Sequence, residues 1–271
     1  MNAIATRYTL LWGGAVAGLV ILGVYTHLAN LQLERSEFIT GYSLFALMIA
    51  LALFNARKKL AMVPLIRSAY WLAIHVVGGA ASVVLFFIHT GSIWPSGGYE
   101  QALALLFYLV SVSGIIGYAM QRINPRRLVQ TDLEIIYERI PAELSEIREK
   151  AEAVILACTQ ETGSDTLARH YMETLSWYFR RPRFIYNNAF GGKAAEHWLR
   201  LQYRTVSRYL NDNEREYLDH INDLAEMKAK IDIHYACQGM MKGWLLVHLP
   251  LAAAVLGLMF WHVIVVNVYA L

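Results

Sequence analysis

Nine histidines are spread along this chain of 271 residues, and four of them sit inside stretches that carry no charged side chain, well away from the charged loops. His75 and His89 share one such stretch, His248 and His262 another, and both pairs are separated by 14 positions. An ionisable side chain in so apolar a setting is costly to keep, which makes it a functional candidate by default. In a helix, 14 residues rise about 21 Å and complete nearly four turns, bringing the second side chain back to within roughly 40° of the first. Each segment, once helical, presents two imidazoles from one face. If the two segments run in the same direction, His75 comes level with His248 and His89 with His262. Two facing imidazoles at one level are a pair of axial ligands for a haem iron, and the chain offers two such pairs.

The elements that must hold these side chains are helices in a bilayer. A hydrophobic share of 56%, a charged share of 17% and a positive mean hydropathy are too apolar for a soluble domain of this size. Five charge-free stretches stand out, Tyr8–Leu28, Phe38–Ala56, Ser68–Ser92, Gln101–Gln121 and Gly243–Leu271, against the roughly 20 helical residues that cross a hydrocarbon layer. Backbone groups in lipid must be satisfied internally, and the runs do not alternate as barrel strands do, so helices are expected. The first stretch is longer than a signal peptide's apolar core and is read as a retained anchor. Short loops on one side receive Arg7, Arg57, Lys58, Lys59, Arg67, Arg122, Arg126, Arg127 and Lys242; the other side receives only Arg35, with Glu34, Glu37 and Glu100. The positive side is cytoplasmic. This places the N-terminus in the cytoplasm and the C-terminus in the periplasm of a bacterial inner membrane, and makes the third and fifth helices parallel.

The stretch from Gln121 to Lys242 holds 18 Lys or Arg and 18 Asp or Glu, so it has no net charge and no nucleic-acid surface is implied. It reads as helical. Thr131-x-x-Glu134 has the form of a capping box opening a helix toward Gln160, and Thr162-Gly163-Ser164-Asp165 breaks it and caps the next, which ends near Pro182. A loop over Tyr186–Gly192 leads to a third helix from Lys193 to Leu210. Asn211-Asp212-Asn213-Glu214 then restarts a fourth that can continue into the last crossing. The expected fold is all-α and integral to the membrane: five transmembrane helices forming a haem-binding bundle, with an α-helical cytoplasmic insertion between the fourth and fifth. Residues 1–121 hold helices one to four, 122–242 the cytoplasmic domain and 243–271 the fifth helix. Cys158 and Cys237 are far apart and form no C-x-x-C pair, so they read as structural thiols.

The segments Trp71-Leu-Ala-Ile-His75-Val-Val-Gly-Gly-Ala through Phe87-Ile-His89-Thr-Gly, and Trp244-Leu-Leu-Val-His248-Leu-Pro through Phe260-Trp-His262, resemble the two-haem membrane cytochromes b. That family includes the cytochrome b subunit of quinol–cytochrome c reductases. The resemblance covers the helical core and implies two haem b groups, one on His75 and His248 near the cytoplasm, one on His89 and His262 near the outside, with quinone as a further ligand. The chain lacks the Pro-Glu-Trp-Tyr quinol-site signature and the regularly spaced glycines of two partner helices. The expected function is electron relay across the membrane. It would run between a quinone pool or periplasmic carrier and a redox partner subunit docked on the cytoplasmic domain.

Other residues fit around the four ligands. Gly78 and Gly79 leave room for a flat macrocycle or serve helix packing. Arg67, Arg122 and Lys242 are candidates to neutralise propionates. His27, with Glu34 or Glu37, could bond a quinone oxygen. His170, His197, His220 and His234 show no metal spacing and read as surface or core residues. Arg180-Arg181-x-Arg183 is a solvated or lipid-headgroup face, or a dock for an acidic partner. Two rivals remain at this point: a transporter whose histidines bind a metal ion or relay protons, and a membrane anchor that recruits partners.

Overall fold

Long apolar runs and i, i+4-patterned polar ones leave the chain little choice but helix. In the computed structural model, which describes residues 3–32, 35–54 and 68–269, every element is helical and no strand occurs among the described residues. In order they are α1 (Ala3–Leu31), α2 (Ser36–Ala52), α3 (Ser68–Thr90), α4 (Gly98–Val129), α5 (Ile140–Thr162), α6 (Thr166–His170), α7 (Ser176–Arg180), α8 (Ile185–Ala189), α9 (Ala194–Val206) and α10 (Asp212–Tyr269). Four of them, α1, α3, α4 and α10, are long and apolar enough to cross a membrane. At 17 residues α2 is shorter; it rises about 26 Å, against a hydrocarbon layer of roughly 30 Å. Its apolar run continues in sequence, but the α-helix stops at Ala52 and tightens into a 3-10 turn over Leu53 and Phe54, and Asn55 and Ala56 lie outside the described residues.

Two local signals resolve differently from their sequence reading. The Thr131 hydroxyl caps no helix; it donates to the Leu128 carbonyl at 2.7 Å and meets His234 Nε2 at 2.8 Å. The next α-helix begins at Ile140 instead, where a proline in its first turn supplies the fixed φ that a helix start favours. The stretch after Arg183 is not all loop, for α8 forms there. Two other signals hold. Gly163 ends α5 in the left-handed region at φ 70°, as a C-terminal glycine does. Asn211 and Glu214 cap α10 reciprocally, each side chain accepting the other's backbone N–H at 2.9 Å. From that cap α10 runs for 58 residues without a break.

The chain divides into two compact units, residues 1–118 with 245–271, and residues 119–244. In the first, α1, α2 and α3 pack closely on one another. Its core joins Met48 of α2, Phe86 of α3, Ala104 and Phe107 of α4, and Val255 and Met259 of α10. Phe86 stacks on Phe107 at 4.4 Å, and Phe45 meets Phe260 edge-on at 5.1 Å.

The second unit has its own core, built from α5, the α6–α7 turn, α9 and the N-terminal part of α10. Inside it lies a fully buried ion pair. Lys228 Nζ is 2.5 Å from Asp232 Oδ2, donates to the Arg181 carbonyl at 2.8 Å and sits 4.0 Å from the centre of the Tyr178 ring. Asp232 also accepts the Arg183 backbone N–H at 3.1 Å. Burial pushes the Lys228 ammonium below its usual range and the Asp232 carboxyl above its own. The pair therefore fixes the turn after α7 against α10 at a desolvation cost its mutual attraction must offset. Asp232→Ala, which strands the ammonium, is expected to cost about 3–5 kcal/mol of stability, whereas Lys228→Met with Asp232→Leu stays near the parent. Denaturant unfolding of the full chain in detergent measures both; an equal loss in the double variant would assign the effect to packing.

Candidate functional site

The first unit gathers all four histidines of the apolar stretches. His75 has His248 as its electrostatic neighbour and His89 has His262. Both couples match in ascending order, so α3 and the C-terminal part of α10 run in the same direction with their 14-residue steps in register. The four do not collapse into one cluster: among the described residues no three His, Cys, Asp or Glu side chains converge as a metal-ion site. The arrangement is two opposed pairs at two levels, about 21 Å apart along the helices.

Two further helices orient one imidazole in each pair by the same device. On α2, Thr40 Oγ1 lies 3.0 Å from His89 Nδ1 and donates its own proton back to the Glu37 or Ser36 carbonyl, at 3.1 and 3.3 Å. A hydroxyl whose own proton is on that carbonyl is an acceptor for an Nδ1–H, the tautomer that would leave His89 Nε2 its lone pair. The next residue, Gly41, lets the ring approach: a Cβ there would stand 2.9 Å from His89 Cε1. On α4, Ser113 Oγ is 3.1 Å from His248 Nδ1, and a Cβ on Gly114 would meet His248 Cε1 at 3.8 Å. A hydroxyl followed by a glycine thus serves His89 from α2 and His248 from α4.

The remaining two are held by rings and backbone. Tyr99 of α4 lies parallel to His262, with centroids 6.1 Å apart, and its hydroxyl donates to the Leu258 carbonyl one turn earlier on α10. Phe54 packs on His75 at 4.7 Å. The His75 ring also meets the Leu51 backbone, yet its Nδ1 is buried and completes no hydrogen bond.

His89 and His262 both line a half-open cavity of about 430 Å³ bordered by α2, α3, α4 and α10. Ligand and cofactor sites run from roughly 300 to 1,000 Å³ and are mostly apolar with a few placed polar groups. The wall here is of that kind, with Phe45, Phe86 and Phe107 among its apolar members and Glu37 and Glu100 among its polar ones. Each carboxylate is an electrostatic neighbour of one histidine, Glu37 of His89 and Glu100 of His262.

Other sequence candidates fall elsewhere. Gly78 packs against α2, where a Cβ would meet Leu51 Cδ2 at 3.0 Å, so it serves helix packing; a Cβ on Gly79 meets nothing. Lys242 belongs to the second unit, paired with Glu138 and 4.2 Å above the Tyr137 ring. Arg67 and Glu34 lie outside the described residues, and His27 is exposed. His234 is a core residue with both nitrogens engaged, Nε2 by Thr131 and Nδ1 by Gln238. The positioning pairs Thr40-Gly41 and Ser113-Gly114, with Tyr99, went unread in the sequence. Their one local signal is a hydroxyl next to glycine inside an apolar run, repeated on two helices.

No protein-family model, curated protein or solved structure matches the chain.

Removing the hydroxyl that holds His89 tests the tautomer. In 15N-histidine spectra of the full protein, His89 is expected as the Nδ1-protonated form. Thr40→Val should redistribute the proton and lose about 1 kcal/mol of stability, while Thr40→Ser keeps both. An Nε2-protonated His89 in the parent would contradict the assignment.

Proposed function

We propose that the chain is a membrane-embedded di-haem cytochrome b that carries single electrons between the two faces of a bilayer. The observation that supports this most is the pairing of His75 with His248 and of His89 with His262, with Thr40 bonded to His89 Nδ1 and both His89 and His262 lining a cavity of cofactor size. The residues fit the group. At the His89 level an apolar cavity leaves space for a planar ring, while Gly41 makes room for the imidazole itself. At the His75 level a buried imidazole nitrogen without a hydrogen bond marks a ring whose polar demand the protein alone does not meet.

Haem held between two imidazoles supplies reversible one-electron chemistry and keeps no vacant position for oxygen or substrate. The chain's own work is to bind and orient. Thr40 and Ser113 hold two ligand rings at fixed angles, Tyr99 backs a third, and Phe45, Phe86 and Phe107 exclude water. Glu37 and Glu100 set negative charge at the His89 and His262 level, which favours the more positive redox state there and separates the two centres in potential. In this reading α2 is the fifth crossing. The N-terminus is cytoplasmic, the membrane is a bacterial inner membrane, and the 119–244 unit faces a redox partner while quinone or a periplasmic carrier works at the opposite face.

A dithionite-reduced spectrum of purified protein is expected to show b-type bands for two haems per chain. His262→Leu should leave one haem, on His75 and His248; His248→Leu should leave the other. Gly41→Val, whose side chain displaces the His89 ring, should lose the same haem as His262→Leu. A colourless protein, or one haem unaffected by either histidine change, would refute the reading.

A further inference from the structure

In the second unit, α4 ends among arginines and grips a remote loop. The last apolar residues of its membrane-compatible run give way at Gln121, and Arg127 stands six residues further, about 9 Å along the axis. Its guanidinium donates to the Ala189 carbonyl at 2.6 Å and to the Asn188 carbonyl beside it, so α8 is tied to this point of α4. Headgroup layers flank the hydrocarbon by roughly 5–8 Å on each side. The tether therefore links α8 to the basic end of α4, in the stretch of sequence that follows its apolar run.

The side chains at this place match such a layer. Tyr186 and Phe190, at the two ends of α8, are 84% and 82% exposed, and Ile185 is exposed as well. Ile123 and Val129 on the same stretch of α4 are also exposed. Between Arg180 and Lys193, and between Arg122 and Gln130, there is no acidic residue. Arg183 is engaged internally, donating to the Trp177 carbonyl and lying 4.4 Å over the Trp177 ring. Arg122, Arg126, Arg180, Arg181 and Lys193 are exposed and form no ion pair among the described residues.

We propose that α8 and its flanks form a lipid-interface anchor, with Tyr186 and Phe190 seated among the headgroups and the five cations binding anionic lipid of the adjacent leaflet. Aromatic residues favour that layer, and each basic side chain near an anionic surface adds about 1 kcal/mol. The left-handed backbone of Phe184, φ 55°, and of Gly191, φ 84°, bounds the segment at both ends. The proposal does not depend on haem.

The test uses the full chain in nanodiscs of phosphatidylcholine with or without phosphatidylglycerol, labelled with an environment-sensitive fluorophore at Phe190→Cys or, separately, Tyr186→Cys; both native cysteines are buried. The expected result is blue-shifted emission, quenching by headgroup spin-labelled lipid and protection from aqueous iodide, all stronger with phosphatidylglycerol. Adding Arg180→Gln, Arg181→Gln and Lys193→Gln should abolish the dependence on phosphatidylglycerol. Water-like emission at both positions would overturn the proposal. So would blue-shifted emission that lipid spin labels fail to quench, since protein would then cover the loop, or an emission that ignores the anionic lipid.

Discussion

A neutral imidazole carries one proton and one lone pair, and in apolar surroundings each needs a partner. That requirement organises the first unit. The bond between Thr40 and His89 Nδ1 fixes the angle of that ring. The helix that brings the hydroxyl must come within hydrogen-bond distance, which only a residue without a side chain permits at the next position; hence Gly41. From α4, Ser113 bonds His248 in the same way, but there a Cβ on Gly114 would make only an ordinary contact with the ring, at 3.8 Å. His234 is the internal control. Partners on both its nitrogens leave it no lone pair to offer, and it sits in a core with no cavity chemistry attached.

The second unit meets the cost of burying polarity in another way. Lys228 and Asp232 satisfy one another with help from the Arg181 carbonyl, the Arg183 N–H and the Tyr178 ring. The result ties the segment that leads into α8 to the long helix α10.

Much of this was legible in the sequence because it depends on period. Helix repeat and a spacing of 14 suffice to put His75 with His89 and His248 with His262 on common faces, and the structure brings the couples together in ascending order. Helical class and four apolar spans follow from composition in the same way. What was not legible depends on packing between segments remote in sequence. Nothing local marks Thr40 or Ser113 among other hydroxyls of apolar runs. Thr131-x-x-Glu134 looked like a cap because the demand of His234, 103 residues away, is invisible in one dimension. Apolarity alone carried the second stretch to Ala56, while the α-helix ends at Ala52.

The hydroxyl-glycine device lies on a diagonal: it acts on His89 of α3 from α2 and on His248 of α10 from α4. Each level therefore has one ring bonded by a hydroxyl of a neighbouring helix and one held by aromatic or backbone contacts. A change at Thr40 acts first on His89 and a change at Ser113 first on His248, so the two levels can be retuned separately over evolutionary time. A gene duplication is not needed to give the pair distinct characters; a single change in either flanking helix suffices.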